Sequence, residues 1–432
     1  MPSRVHRNPF RIHGIVEGEF FTDRADETRR IRKTLEEPTA KLLLSGFRRM
    51  GKSSTLSRAV AEVNAEGGHA IIADFSTAST VTDMANNLLA AAGKALGRRW
   101  TSFVTDLAGR FQASIKLSHD PASGLTLPSL DVSLRDESLA AQQATLARVL
   151  DTLNELAAAK RTTLGIALDE FQEITRFGVE HDGTGAAAGT RRRRVAGGDD
   201  SPARRDQPEW HLRGVIQQHQ HLSYVLAGSK PTLLDAMVGK NGAFYNMLDR
   251  APFGPISRDH MSTWIDERLG SVDLRSEQAG HFCVEWAGPR TRDIVRLARK
   301  CVDQALHGAT VDAAAVTAAF REIVDEEHEA IHARWQRYST QQQNLLRALA
   351  AESSGPATKD VRRRFSLDAS TTGNTLKSLV QAGDLVRSTY GSTYAFDDPF
   401  MRGWVIARAL PDLSIRDKLL THVATPTSEY DA

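Results

Sequence analysis

Cysteine is nearly missing from this chain: Cys283 and Cys301 are the only two in 432 residues. Two thiols make no disulfide framework, and these two lack metal-ligand spacing, so a stapled secreted scaffold is excluded and a reducing compartment is expected. Charge of one sign is missing as well. The chain carries 55 Lys+Arg against 53 Asp+Glu, a formal net charge of +2. A surface basic all over is therefore excluded, and any nucleic-acid surface has to be local. No run approaches about 18 uninterrupted apolar residues, so no membrane span is expected. The first ten residues, MPSRVHRNPF, hold no apolar core of signal-peptide length. The expectation is a soluble, cytoplasmic protein. The apolar fraction of 41% is ample for buried cores, and a length of this order is a prior for about three domains.

What is present is concentrated at residues 41–60, KLLLSGFRRMGKSSTLSRAV. Leu42 to Leu44 has the length and flanks of a buried strand. From Ser53 onward, Leu56, Val60 and Val63 recur at helical spacing. Between strand and helix stands Gly46-Phe47-Arg48-Arg49-Met50-Gly51-Lys52-Ser53, a G-x-x-x-x-G-K-[ST] phosphate loop in its strand–loop–helix setting. By chance the pattern occurs in roughly one to two chains per hundred of this length. Gly46 and Gly51 permit backbone angles that let successive N–H groups, including those of Arg48, Arg49 and Met50, converge on phosphate oxygens. The helix N-terminus adds partial positive charge. Lys52 is expected on the β- and γ-phosphates, Ser53 on Mg²⁺, and Ser54 with Thr55 towards the α-phosphate. No Asn-Lys-x-Asp guanine-reading segment occurs, which points to ATP.

Hydrolysis needs a magnesium-holding carboxylate and a group that positions water. TTLGIALDEFQEI supplies both: the apolar run to Leu168 ends in Asp169-Glu170. Two acids at the end of a buried strand are costly unless they meet a cation. Asp169 is expected to hold Mg²⁺ and Glu170 to act as general base. A third strand, LSYVLAGSK, ends at Ser229, which is assigned a sensing role beside the γ-phosphate.

These segments resemble a known family. FFTDRADETRRIRKTL, GFRRMGKSS, ALDEFQEI, VLAGS and YAFDDPFMRGWV stand in the order found in the archaeal-type ATPases, P-loop proteins of the AAA+/STAND group with a C-terminal winged helix. The resemblance spans about residues 20–405. It implies an α/β P-loop NTPase core with a five-stranded parallel sheet in the order 5-1-4-3-2, followed by a helical lid and a winged helix-turn-helix. The strands would be Lys41–Ser45, then 70–75, 164–168, 223–227 and a last one near 253–256. Asp23, Arg24 and Glu27 look like the family's opening motif beside the adenine, and a helix N-cap at Asp23 fits equally well. Where many relatives read Gly-x-Pro in the lid, this chain has Gly288-Pro289-Arg290. Arg290 or Arg292 would serve as a lid arginine near the γ-phosphate. Arg250 would be an arginine finger towards a neighbouring subunit, which leaves a homo-oligomer or a protein partner open.

The domains expected are a core over 1–256, a lid over 257–335, a winged helix over 336–410 and a tail over 411–432. FQASIKLS and LPSLDVSL read as two short strands. Residues 177–208 form a Gly/Ala/Arg/Asp-rich segment without periodicity, expected as a mobile loop. Three helices and a hairpin around Gly391 make the winged module. Over 338–405 eight Lys/Arg stand against six Asp/Glu, a thin basic excess for DNA. Arg362–Arg364, Arg387 and the polar third helix would carry DNA contacts. Phe396, Phe400 and Trp404 are expected to pack the module. The functional expectation is an ATP- and Mg²⁺-dependent ATPase driving a conformational switch. A DNA-binding regulator with structural ATP and a protein-interaction switch are the alternatives.

Overall fold

The apolar run at Leu42–Leu44 becomes β1 (Lys41–Ser45), a strand buried on both faces. In this computed structural model the described residues are 8–96, 114–120, 125–131, 138–178, 207–351, 358–387 and 394–410. They fall into two compact units, Arg24–Gly254 and a second made of the residues before Arg24 with those from Pro255 on.

In the first unit β1 is joined by β2 (Ala70–Asp74), β5 (Leu164–Asp169), β6 (Leu222–Gly228) and β7 (Asp249–Pro252). The order is β2-β5-β6-β1-β7 and every pairing is parallel. Numbered within the sheet this is 2-3-4-1-5, the order expected. β5 and β6 are buried at every residue, which is why they read as continuous apolar runs without alternation. The side chains still sort by face. Leu43, Ile166, Leu168, Tyr224 and Leu226 pack under α3 (Val81–Leu96), α4 (Leu139–Ala159) and α5 (Pro208–Gln218). Leu42, Leu44, Ala167, Val225 and Ala227 pack under α1 (Ala25–Glu36) and α2 (Lys52–Ala65). The Ser223 hydroxyl donates to the carbonyl of Leu35 at 2.8 Å and ties the end of α1 to the sheet.

The last strand lies at Asp249–Pro252, not near 253–256. Pairing sets it, since Leu42–Ser45 of β1 align with Asp249–Pro252. The apolar residues that follow, Phe253 and Ile256, are buried beyond the strand. β3 (Ser114–Asp120) and β4 (Leu125–Asp131) form an antiparallel pair, as their alternation predicts. A short helix α6 (Pro231–Val238) follows β6. Of the 177–208 segment, 179–206 lie outside the described residues, as do the Gly391 turn and the tail over 411–432.

The second unit is helical through α7 (Arg258–Gly270), α8 (Ala279–Ala287), α9 (Thr291–Gln304), α10 (Ala313–Glu326) and α11 (His328–Trp335), with a two-residue parallel pair, β8 (Arg275–Ser276) and β9 (Thr310–Val311). α12 (Thr340–Ala351), α13 (Lys359–Arg364), α14 (Thr372–Ala382) and the antiparallel β10 (Leu385–Arg387) and β11 (Tyr394–Phe396) follow, then α15 (Pro399–Trp404). The Asp-Pro-Phe-Met-Arg-Gly-Trp segment is a helix start: Asp398 accepts from the N–H of Phe400 and Met401, and Pro399 opens the helix. Phe396, Phe400 and Trp404 are buried. The Trp286, Phe320 and Phe400 rings pack in series, tilted to one another, with centroids 4.9 and 5.3 Å apart. One apolar core thus runs through α8, α10 and α15. Among the described residues no helix is long and apolar enough to cross a membrane.

Candidate nucleotide site

The C-terminal ends of β1, β5 and β6 meet at one edge of the sheet, where the chain order reverses around β1. In open α/β sheets such an edge is where ligands bind. The phosphate-loop sequence leaves β1 here. Gly46 is required by a close approach: an added Cβ would lie 2.3 Å from the carbonyl oxygen of Phe253. Its role is therefore room for the chain after β7, whereas Gly51 supplies the backbone freedom, with φ +96° at the N-cap of α2. Lys52 is buried, and its Nζ donates to the carbonyls of Gly46 at 2.8 Å and Phe47 at 2.6 Å. The cation so folds back over its own loop. Ser54 and Thr55 are buried in the first turn of α2, and Thr55 bonds the Gly51 carbonyl at 3.1 Å.

Ser53 and Asp169, the two residues expected to hold the metal, are brought together. The Ser53 hydroxyl donates to Oδ2 of Asp169 at 2.5 Å. Asp169 is 4% exposed. Burial raises its carboxyl above the ordinary range. Hydrogen bonds from Ser53 and the Glu170 amide pull it back, and the charges of Glu170 and Asp74 push it up again. Asp74 pairs in register with Asp169, so negative charge gathers where β2 and β5 end. Among the described residues no group of three His, Cys, Asp or Glu could hold a metal by itself. A hydroxyl and one buried carboxylate fit Mg²⁺, which binds through one or two protein oxygens and takes the rest from water and phosphate.

Glu170 sits at φ +51°. Oε2 of its carboxylate accepts from the Ser229 hydroxyl at 2.6 Å and from Nε2 of Gln172. Ser229 in turn accepts from Nε of Arg48 at 3.3 Å. The loop, the acid pair and the third strand end are thus joined through side chains.

No family profile and no curated protein sequence matches the chain. Solved structures do. The Walker-type ATPase PABY2304 of Pyrococcus abyssi superposes with a TM-score of 0.57 at 16% identity, over 92% of this chain and 99% of that one. The Aeropyrum pernix ORC2 protein, solved as ADPNP–ADP complexes, superposes with a TM-score of 0.51 at 12% identity, over 93% and 94%. The chain has the fold of the archaeal Walker-type P-loop ATPases.

Arg250 lies in β7 opposite Leu43, and its Nη2 donates to the Val238 carbonyl at 2.9 Å. Arg290 belongs to the other unit, buried, with Nη2 on the Asp397 carboxylate at 2.8 Å. Arg292 is exposed on α9. Asp23 does not cap α1: the helix opens at Ala25, and the N-cap position is Arg24 at φ +69°. Arg24 instead braces the loop. It is 4% exposed, with Nη1 on Glu27 at 2.6 Å and Nη2 on the carbonyls of Met50 at 3.3 Å and Gly254 at 2.8 Å. Its guanidinium lies 4.1 Å from the centre of the Phe253 ring. Gln172 stands in the ALDEFQEI segment that carries the resemblance, but the sequence assigns it no role. Its signal is a polar residue two positions after the acid pair that the fold buries completely.

Proposed function

We propose that the chain is a Mg²⁺-dependent ATPase whose turnover drives a conformational switch, with DNA as the associated partner. The observation that carries this is the 2.5 Å bond between Ser53 and Asp169 beside the folded-back Lys52. Those are the groups that phosphoryl transfer requires in one place. Mg²⁺, held by Ser53 and Asp169, would supply charge neutralisation on the phosphates. Lys52 and the N–H groups from Arg48 to Ser54 would bind the phosphates. Glu170 would orient the attacking water and take its proton, and Ser229 would contact the γ-phosphate. The nucleotide complexes of the Aeropyrum protein support ATP as the ligand.

Arg250 is proposed as a finger towards a second subunit and Arg290 as the lid arginine. The proposed division is a core over 1–256, a lid over 257–335, a winged helix over 336–410 and a tail beyond, in a cytoplasmic protein. The DNA reading is favoured by α14, whose Gly373, Asn374, Lys377 and Ser378 are exposed. Measuring ATP turnover of the full chain with and without duplex DNA tests it. Stimulation supports a DNA-associated ATPase. Tight DNA binding without turnover would replace it with a regulator in which ATP is structural. Turnover indifferent to DNA would replace it with a protein-interaction switch.

A further inference from the structure

Gln172 lies in the short helical turn after the acid pair and is 1% exposed. A buried carboxamide has an acceptor and two donors to place. This one places them across two strand ends. Its Oε1 accepts from the backbone N–H of Ser229 at 3.2 Å, and its Nε2 donates to Oε2 of Glu170. The same nitrogen faces Oε1 of Glu173 at 3.4 Å. Glu173 is itself held by Lys230 and Arg176, both at 2.9 Å. Gly228 makes room for the arrangement: a Cβ there would stand 2.2 Å from Oε1 of Gln172.

Building on the proposed ATPase, we infer that Gln172 is a positioning residue for hydrolysis. Its carboxamide couples Glu170 at the end of β5 to Ser229 at the end of β6. Both donors, the Gln172 amide and the Ser229 hydroxyl, converge on Oε2 of Glu170. The carboxylate is thereby turned in one direction, and proton acceptance falls to Oε1. Arg48 carries the same chain back to the phosphate loop through the Ser229 hydroxyl. The direction of the general base is set by the strand end that meets the γ-phosphate, through one buried amide. Misplacement of a base by an ångström is enough to cost up to about 100-fold in rate.

The experiment is steady-state ATP hydrolysis by the full chain with Mg²⁺, on three variants and one cycle. Gln172→Leu keeps the volume and removes the hydrogen bonds to both strand ends. Gln172→Glu keeps the shape and the acceptor for Ser229, and sets a second carboxylate against Glu170. Gly228→Ala displaces the amide without changing its chemistry. Each is expected to lower kcat by about tenfold or more while KM for ATP stays within about twofold. Combining Gln172→Leu with Glu170→Gln should be no slower than Glu170→Gln alone, because the amide acts through that carboxylate. Where Gln172→Leu does not fold, the isosteric Gln172→Glu serves in the cycle. Parental kcat in all three variants, with Glu170→Gln inactive, overturns the positioning role and leaves the ATPase standing. Additive losses in the cycle overturn it too. A chain without turnover, or Glu170→Gln turning over at the parental rate, overturns the hydrolytic reading and this inference with it.

Discussion

The Ser53 hydroxyl donates to Oδ2 of Asp169 across 2.5 Å, joining the start of α2 to the end of β5 over 116 residues of sequence. Burial raises the Asp169 carboxyl above its ordinary range. The folded chain therefore holds that proton more tightly than the unfolded one. Stability from this group is highest at low pH and falls as pH rises through the carboxylate range, so at neutral pH the charge costs stability. Asp169→Asn should raise the Tm measured without metal, by an amount corresponding to about 1 kcal/mol, as removal of a functional charge commonly does. The extra stabilisation of MgATP over ATP should vanish. Thermal denaturation with and without Mg²⁺ checks both. A lower Tm contradicts the cost assigned to the buried charge, and an undiminished Mg²⁺ effect contradicts the metal assignment.

Lys52 and Glu170 should separate binding from chemistry. Lys52 is folded onto the carbonyls of Gly46 and Phe47, so Lys52→Ala removes the loop's cation and should abolish measurable nucleotide binding. Glu170→Gln keeps the shape and should bind normally, with turnover lower by about 10²- to 10⁴-fold. Fluorescent-nucleotide titration read beside phosphate release distinguishes the two.

Arg24 is the brace whose loss should be felt twice. Its guanidinium reaches Met50 in the loop, Gly254 after β7 and Glu27 on α1, above the Phe253 ring. Arg24→Ala should destabilise the chain by about 2–3 kcal/mol, since charged hydrogen bonds and packing go together. It should also weaken ATP binding several-fold by loosening Met50. Arg24→Lys should not rescue, because one ammonium cannot reproduce the planar fork over an aromatic face. Urea denaturation and ATP affinity are the two measurements. Full rescue by lysine would reduce Arg24 to a simple charge.

The parts of this site that could be read from the residues are those whose signal is local. β1, the phosphate loop and the acid pair each announce themselves within a dozen positions, and buried parallel strands read as plain apolar runs. The sheet order was accessible only through the resemblance. What stayed hidden depends on partners far along the chain. β7 lies before the apolar 253–256 stretch because it is defined by its register on β1. Gly46 reads as a flexible loop residue, yet its constraint is Phe253, more than 200 positions on. Arg24 reads, through the resemblance, as part of an opening motif beside the adenine, and its partners at Met50 and Gly254 cannot be guessed from spacing. Gln172 stands in the ALDEFQEI segment of the resemblance but is given no role by it; only the adjacency of β5 and β6 gives its two polar ends something to join.

A buried histidine under the sheet gives a pH prediction. His219 lies between the Tyr224 hydroxyl at 2.7 Å and Asp151 at 2.9 Å. With Nε2–H donating to Asp151, Nδ1 accepts from Tyr224. Burial lowers the pKa of His219; Asp151 opposes the shift and the charge of Lys41 adds to it. The unfolded chain then binds the proton first, so stability from this group is complete above about pH 6.5 and is lost as pH falls towards the lower folded value. Replacing His219 by Asn should flatten that part of the stability–pH curve. Tyr224→Phe should cost about 1–2 kcal/mol by orphaning Nδ1. Urea denaturation across pH 5–8 tests the curve and the cost, and parallel curves for parent and the Asn variant would remove His219 from the account.

The proposed DNA surface can be tested by charge alone. Arg363 and Arg364 are exposed and Arg362 half-buried on α13, a helix of six residues whose Val361 faces the core. Over 338–405 the basic excess is thin, eight Lys/Arg against six Asp/Glu, so reversing these three arginines makes the module acidic. Reversing Arg362, Arg363 and Arg364 to glutamate should weaken duplex binding uniformly across sequences. The slope of log affinity against log salt should fall by about one for each phosphate that is no longer neutralised. Because Arg363 and Arg364 are exposed and Arg362 is only half-buried, the Tm should stay within about 2 °C of the parent. Fluorescence anisotropy at several salt concentrations measures the slope directly. An unchanged affinity and slope, with the fold intact, would take α13 out of any DNA interface and leave the exposed face of α14 as the surface to change next.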